Sequence, residues 1–451
     1  MLAARIDFGN VGAMAVSRHV LVAYDDVFSI EYFNRKLRPY WRKDGANFAD
    51  LLRKAVNEYE SLLQRATAFD RELTADLTAA GGREYAELSV LAYRQAIGAH
   101  KLVADTDGTP LFFAKENFSN GCIDTVDVFY PSAPLFLLLN PKLVEGQMKP
   151  ILDYASLPRW RWPFAPHDLG TYPLANGQVY GGGERTEENQ MPVEETGNML
   201  ILALAVARAE GAANLARSYW PLLTKWADYL RAKGLDPENQ LSTDDFAGHL
   251  AHNANLSIKA IEAVASYAEL AKLLGDSERA TAYRKSAKQM AEQWEHMAAD
   301  GDHSRLAFDK TGTWSQKYNL VWDKVLGLNL FAPSIAHAEI AFYLLHQNEF
   351  GLPLDNRKTY TKLDWIVWAA TLTDDPKEFQ ALIAPLYKYA DQTPSRVPLS
   401  DWYDTIDAKQ QGFQARSVVG GVFIKMLADP ARWRKWSLQV NSASAIAPAG
   451  N

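Results

Sequence analysis

The stretch "FADLLRKAVNEYESLLQRATAF" (residues 48–69) decides how the chain is read. Leu51, Leu52, Ala55, Tyr59, Leu62 and Leu63 recur at three- and four-residue intervals, which gathers them on one face of an α-helix. "REYAELSVLAYRQAIGAHKLV" (83–103) repeats the pattern through Leu88, Leu91 and Ala92 and reads as a second helix. The same period predicts helices at about 133–156, 193–211, 212–232, 254–275, 277–298, 333–347, 360–372, 376–390 and 411–427. Gly234 and Gly275 supply stops, and Asp375–Pro376 a start. Eleven or twelve helices, mostly joined by short links and without a sequence repeat, predict a mainly α fold. The expected architecture is an (α/α)6 toroid of helical hairpins with a short β-segment at the N-terminus; an open α-superhelix is the alternative.

Ahead of these helices the pattern changes. "VSRHVLVAYDDVFSIEYF" (16–33) is β-branched and aromatic, and predicts two strands with a turn near Asp25–Asp26. A lone hairpin is marginal in water. Residues 1–45 therefore read as the remnant of an N-terminal β-domain and linker, 46–440 as the toroid, and 441–451 as a flexible tail.

The net charge of −7, from 47 basic and 54 acidic residues, argues against a nucleic-acid partner. No apolar run is long enough to span a membrane. The opening "MLAARIDFGN" lacks the zones of a signal peptide, so a complete chain would be expected in the cytoplasm. Cys122 is the single cysteine, which excludes an intramolecular disulfide framework.

The chemistry lies between the helices. Long stretches at 101–131, 157–192, 235–253, 300–332 and 392–410 carry aromatics, glycines and carboxylates. In a toroid they would gather at one end and line a pocket. "ENFSNGCIDTVDVFYPSAPL" (116–135) sets Asp124 and Asp127 three apart, as rim carboxylates for hydroxyls, an ammonium group or a cation, or as helix and turn caps. In "WPFAPHDLGTYP" (162–173), Pro166 and Gly170 fix the backbone around His167 and Asp168. A pair of this kind is costly to bury unless hydrogen-bonded or used. "GGGERTEENQMPVEETGNML" (181–200) places Glu194 and Glu195 just inside a helix start after Pro192. Its glycines are no phosphate loop, because no Gly-Lys-Ser/Thr follows.

"LSTDDFAGHLAHNAN" (241–255) offers Asp244 and Asp245 as a general acid or an N-cap. His249 and His252, three apart, would share a helix face; without a third close ligand they read as pocket lining or core, and no metal or other cofactor is expected. Trp322–Asp323 and Asp364–Trp365 set carboxylate beside indole, a way to hold a flat polar ligand. "VPLSDWYDTIDAKQQGFQARSVVGG" (397–421) brackets Trp402 with Asp401 and Asp404 and ends near Arg416. A late carboxylate facing an earlier one is what a two-carboxylate hydrolase needs: one protonates the leaving group and the other activates water.

"GCIDTVDVFYPSAPLFLL", "FAPHDLGTYP", "QMPVEETGNMLIL", "WSQKYNLVWDKVLGLNLF", "KLDWIVWAATL" and the stretch from "DWYDT" to "GFQARSVVGG" resemble the glutaminase A family of fungi and bacteria. The resemblance implies a hydrolase converting L-glutamine to L-glutamate and ammonia, in a secreted or periplasmic full-length parent, here expected from a bacterial source. Its helical part is similar to six-hairpin glycosidases, where "TDDF" resembles an acid-bearing loop and "SDWYD" a base-bearing one. The catalytic candidates are Asp244, Asp245, Asp401 and Glu194. In an amidase, Asp124, Asp127 or Glu194 would meet a substrate ammonium group and Arg416 its carboxylate. In a glycosidase, Asp244 or Asp245 is the acid and Asp401 the base. His167, Asp168, Glu195, His249, Trp322, Asp364, Trp365 and Trp402 complete the expected substrate contacts. The partner is a small molecule, an amino acid or a sugar; a non-catalytic carbohydrate-binding scaffold is the third reading.

Overall fold

The computed structural model describes residues 3, 5–242, 248–395 and 398–444. Helix α1 (Phe48–Gly98) opens with a capping box, in which the Asn47 side chain takes the Asp50 N–H and Asp50 returns to the Asn47 N–H. The two helices expected here are one element bent at Gly82, whose φ of 81° breaks the helical path. "HKLVA" does not prolong it. His100–Ala104 instead pairs antiparallel with Pro110–Ala114, because Gly108 turns the chain and the β-branched and aromatic residues suit a ribbon.

The helices that follow are α2 (Val126–Leu139), α3 (Pro141–Ala155), α4 (Pro192–Glu210), α5 (Asn214–Ser218), α6 (Trp220–Lys233), α7 (Ala254–Leu273) and α8 (Ser277–Ala298). After the 3₁₀ turn Tyr318–Leu320 come α9 (Val321–Val325), α10 (Pro333–Leu345), α11 (Leu363–Ala370) and α12 (Pro376–Gln392). A 3₁₀ stretch, Ser417–Phe423, leads into α13 (Ile424–Leu427) and α14 (Pro430–Ser444).

An inner ring runs α2, α4, α7, the 318–320 turn with α9, α11, and the 417–423 stretch with α13; each member packs on the next and the last returns to α2. These segments are apolar around most of their circumference, and every residue of α11 is buried. The second half of α1 with α3, α6, α8, α10 and α12 stands outside as the return arms. The architecture is an (α/α)6 toroid. Helix α14 lies across one end, where Trp433 Nε1 donates to Leu137 O at 3.0 Å, at the C-terminal end of α2. The N-termini of the inner helices and the long loops feeding them meet at the other end.

Three expectations are corrected. The helix predicted at 133–156 is two, parted at Asn140–Pro141, because proline cannot continue the hydrogen-bond ladder from α2. The predicted helix at 411–427 is irregular up to Arg416, with Ala415 at a φ of 56°, then 3₁₀ over Ser417–Phe423, and α-helical only at Ile424–Leu427. The N-terminal strands lie later than expected, at Ile30–Tyr32 and Arg35–Leu37, with their turn at Phe33–Asn34. Leu174–Ala175 adds to that hairpin in parallel. Among the described residues, no helix is long and apolar enough to cross a membrane.

Candidate active site

Two buried clusters of charge sit where the inner helices begin. The first is set by a ribbon in which Tyr360–Lys362 pairs with Trp402–Asp404. Leu363 N donates to Asp401 O at 2.8 Å, so α11 starts directly beside Asp401. Lys362 Nζ then lies 3.2 Å from Asp401 and 3.6 Å from Asp364. Both aspartates are fully buried, and none of their four carboxylate oxygens accepts a hydrogen bond from the described residues. Burial, with Asp401 nearby, pushes the Asp364 carboxyl up to about 7, although Lys362 pulls the other way. Arg416, also near Asp364, stacks its guanidinium 4.1 Å over the Phe413 ring. Gln95 of α1 ties both ends of the 399–416 loop by donating to Leu399 O and Arg416 O.

The second cluster joins α2, α4, α7 and the 162–173 loop. Asp168 accepts backbone N–H bonds from Gly170 (2.7 Å), Val179 (3.0 Å) and Tyr180 (3.1 Å), and holds His167 Nδ1 at 2.9 Å. The turn requires Gly170: its φ is 135°, and a Cβ there would stand 2.2 Å from Leu174 O. The other ring nitrogen of His167 faces Asp127 Oδ1 at 3.8 Å. Burial alone would lower the imidazole pKa, but Asp168 and Asp127 carry it up to about 9. Glu195 receives Asn198 Nδ2 at 3.1 Å, and burial beside Asp127 and Glu194 raises its carboxyl well above the usual range. Glu194 forms an ion pair with Lys259 and also accepts from Asn198. Gly197 makes that pairing possible, since a Cβ there would lie 2.7 Å from Lys259 Cγ.

The structure thus brings together Asp364, Asp401 and Arg416 in one group, and Asp127, His167, Asp168, Glu194 and Glu195 in the other. Asp244 and Asp245 lie outside the described residues. Several expectations fail. His249 and His252 do not share a helix face, because Asn253 caps α7 by accepting the N–H groups of Asn255 and Leu256, so the helix begins after both. His249 is exposed and His252 bonds Asp236 at 2.7 Å at the surface. Asp124 is fully buried, forms no ion pair with either cluster among the described residues, and lies within electrostatic reach of Tyr32. Trp322 and Trp365 do not offer free faces: Trp365 stacks on Tyr318 at 4.2 Å and meets Trp368 edge-on, and Trp322 packs on Tyr130 and Trp368. Trp402 remains half-buried, beside Tyr360 and Phe413. A cavity of about 1050 Å³ lies elsewhere, lined mainly by apolar residues including Phe69, Phe136 and Trp436, and none of the clustered charges lines it.

Residues 82–426 match the glutaminase A six helical-hairpin domain. The chain belongs to the glutaminase A family. Residues 1–76 match a domain of unknown function, DUF5127. Glutaminase A of Aspergillus oryzae is 33% identical over 82% of this chain and 54% of its own length. A probable glutaminase of Arthroderma benhamiae is 26% identical over 88% of this chain and 55% of its own. The chain spans about half the length of these curated relatives, and both are fungal, so they give no support to a bacterial source. Among solved structures, a metal-independent α-mannosidase of Streptococcus pneumoniae, in non-productive complex with α-1,6-mannobiose, has a TM-score of 0.56 at 12% identity, covering 81% of this chain and 97% of that one. A glycosidase carrying Y48F has a TM-score of 0.54 at 14% identity, covering 77% and 97%. At such identities the likeness concerns the fold, and it agrees with the closed ring.

In this glutaminase A family chain, sequence reasoning missed the cations that hold each cluster. Lys259 sits within "LSIKAIEAVASY", where an interior helical lysine reads as a solvated face. Lys362 falls in the first turn of the helix expected at 360–372, where a lysine likewise reads as solvated. The available signal was Lys-Leu-Asp-Trp, a cation and an anion two apart at a strand-to-helix junction, but two charges in a loop are usually wet.

Proposed function

We propose that this chain hydrolyses the side-chain amide of L-glutamine, with Asp364, Asp401 and Lys362 at the reaction centre. The observation that carries the reading is the pair of aspartates sharing one lysine while their oxygens accept no hydrogen bond from the described residues. A purely structural ion pair at such depth gains nothing from leaving acceptors unmet, which costs roughly 1–3 kcal/mol each. A carboxyl poised near neutrality beside a carboxylate on a cation can both give and take a proton.

In the reaction, Asp401 takes a proton from water as its oxygen adds to the amide carbon. Lys362 faces the charge developing on the carbonyl oxygen. Asp364 then gives its proton to the departing nitrogen as the C–N bond breaks, releasing ammonia and leaving glutamate. Arg416, stacked on Phe413, supplies the clamp for the substrate α-carboxylate.

A second reading is favoured by the half-buried Trp402 beside Asp401, an aromatic surface suited to a sugar ring. There the same pair would cleave a glycoside, Asp364 protonating the glycosidic oxygen and Asp401 activating water. Ammonia release from glutamine, run beside a panel of aryl glycosides with the parent protein and Asp401→Asn, separates the two. Glutamine turnover that falls in D401N supports the amidase. Turnover unchanged in a folded D401N removes Asp401 from the mechanism. Glycoside cleavage without ammonia release transfers the assignment to the second reading.

A further inference from the structure

We propose that Asp127, His167 and Glu195 form a binding site for a divalent transition-metal ion, with zinc as the fitting class. The three residues come from α2, the 162–173 loop and α4. His167 Nε2, a carboxylate oxygen of Asp127 and one of Glu195 lie within 4.8 Å of one another, and all three residues are buried. Tetrahedral zinc with ligands at about 2.1 Å needs ligand atoms about 3.4 Å apart. The His167–Asp127 separation of 3.8 Å is close to that.

Two independent features point to a ligand. Glu195 Oε1 is fully buried and accepts no hydrogen bond from the described residues, while its other oxygen is held by Asn198. Asp168 orients the imidazole from behind, and is itself fixed by three backbone N–H groups. This carboxylate–histidine arrangement presents Nε2 as the ligand and is the usual outer support of a metal-bound imidazole. The nearest cation, Lys259, is already paired with Glu194, and Glu116 is bonded by Thr125. Two carboxylates with one imidazole suit zinc or manganese better than calcium, which prefers oxygen alone. Cys122 also lies close to His167 and Asp168, but Asp168 is saturated by its backbone donors, so that set is the weaker one. The ligands come from α2, α4 and the 162–173 loop, whereas the acid–base pair of the proposed hydrolytic centre lies on α11 and the ribbon beside it.

The test measures metal directly. Protein stripped with chelator, dialysed against zinc chloride and desalted should retain about one zinc per chain, and its thermal midpoint should rise on zinc addition. His167→Gln and Glu195→Gln should lose the bound zinc and the midpoint response. Asp168→Asn keeps all three ligands and should weaken zinc binding about 10- to 100-fold, so it serves if either ligand variant fails to fold. Retention of zinc by folded H167Q and E195Q, an affinity unchanged in D168N, no zinc in the parent protein, or preference for calcium over zinc would each overturn the proposal.

Discussion

Replacing Asp364 with asparagine separates a poised carboxyl from an ordinary buried ion pair. In the folded protein its carboxyl stands at about 7, against 3.8 for a free aspartate, because burial outweighs the pull of Lys362. A carboxyl raised on folding binds its proton more tightly in the native state. The stability this confers is fully present below the unfolded pKa and is lost as pH rises through the folded one. Each factor of ten in proton affinity is worth about 1.4 kcal/mol, so the loss between pH 4 and pH 8 amounts to about 4 kcal/mol at most. The substituted asparagine does not titrate and keeps a similar shape. The parent-minus-variant difference in unfolding free energy should therefore fall by about 3 kcal/mol from pH 4.5 to pH 8, the parent growing relatively weaker. Urea unfolding followed by tryptophan fluorescence, with refolding checked at each pH, measures it. A difference that stays flat, within about 0.5 kcal/mol, would refute the reasoning: Asp364 would then hold one protonation state across the range and could not exchange a proton near neutrality.

The other outcomes are simpler. Asp401→Asn should lower ammonia release from glutamine by about 100-fold or more while leaving the circular dichroism spectrum unchanged. The parent enzyme should lose activity as pH rises through about 7, because Asp364 then gives up the proton the leaving nitrogen needs; a kcat profile measures that limb. Gly197→Ala forces a methyl group against Lys259 and should cost about 1–3 kcal/mol, read as a lower urea midpoint. Trp365→Ala should cost about 3–5 kcal/mol by removing the ring that stacks on Tyr318 and meets Trp368 edge-on, and if a folded fraction survives, its KM should be near that of the parent.

The toroid was legible because the arms repeat apolar residues at helical spacing and end on ordinary stops. The inner helices were harder to bound. Where a segment is buried all round, as α11 and the 417–423 stretch are, periodicity carries no face to read, and only the packing shows where helix begins. The loops that gather the chemistry were also legible, since carboxylates beside aromatics and prolines make poor spacers. The partition of those residues into two clusters was not. Asp124 and Asp127 are three apart in sequence, yet Asp127 lies in the first turn of α2 while Asp124, at a φ of 56°, precedes the helix. His249 and His252 were misplaced for a related reason: Asn253 captures the first N–H groups of α7, and no count of spacings reveals which polar residue wins that role.

The position of the charges poses a physical contest. Asp127, Glu194, Glu195 and Asp364 all lie in the first turns of inner helices, where the helix dipole favours an ionised carboxylate. That effect is worth roughly 0.3–1 kcal/mol and at most about 2 in buried settings. Moving a carboxylate out of water costs several kcal/mol, so burial should win unless a cation stands within reach. The three outcomes follow that order. Asp364, with Lys362 at 3.6 Å, is carried up only to about 7. Glu194 holds Lys259 in a closer pair. Glu195 shares the same turn and takes its hydrogen bond from the neutral Asn198 amide, and its carboxyl is pushed well above the ordinary range. The helix dipole is common to all three, so burial and the charges around each carboxyl, Lys362 beside Asp364 and Asp127 with Glu194 beside Glu195, set how far it is raised.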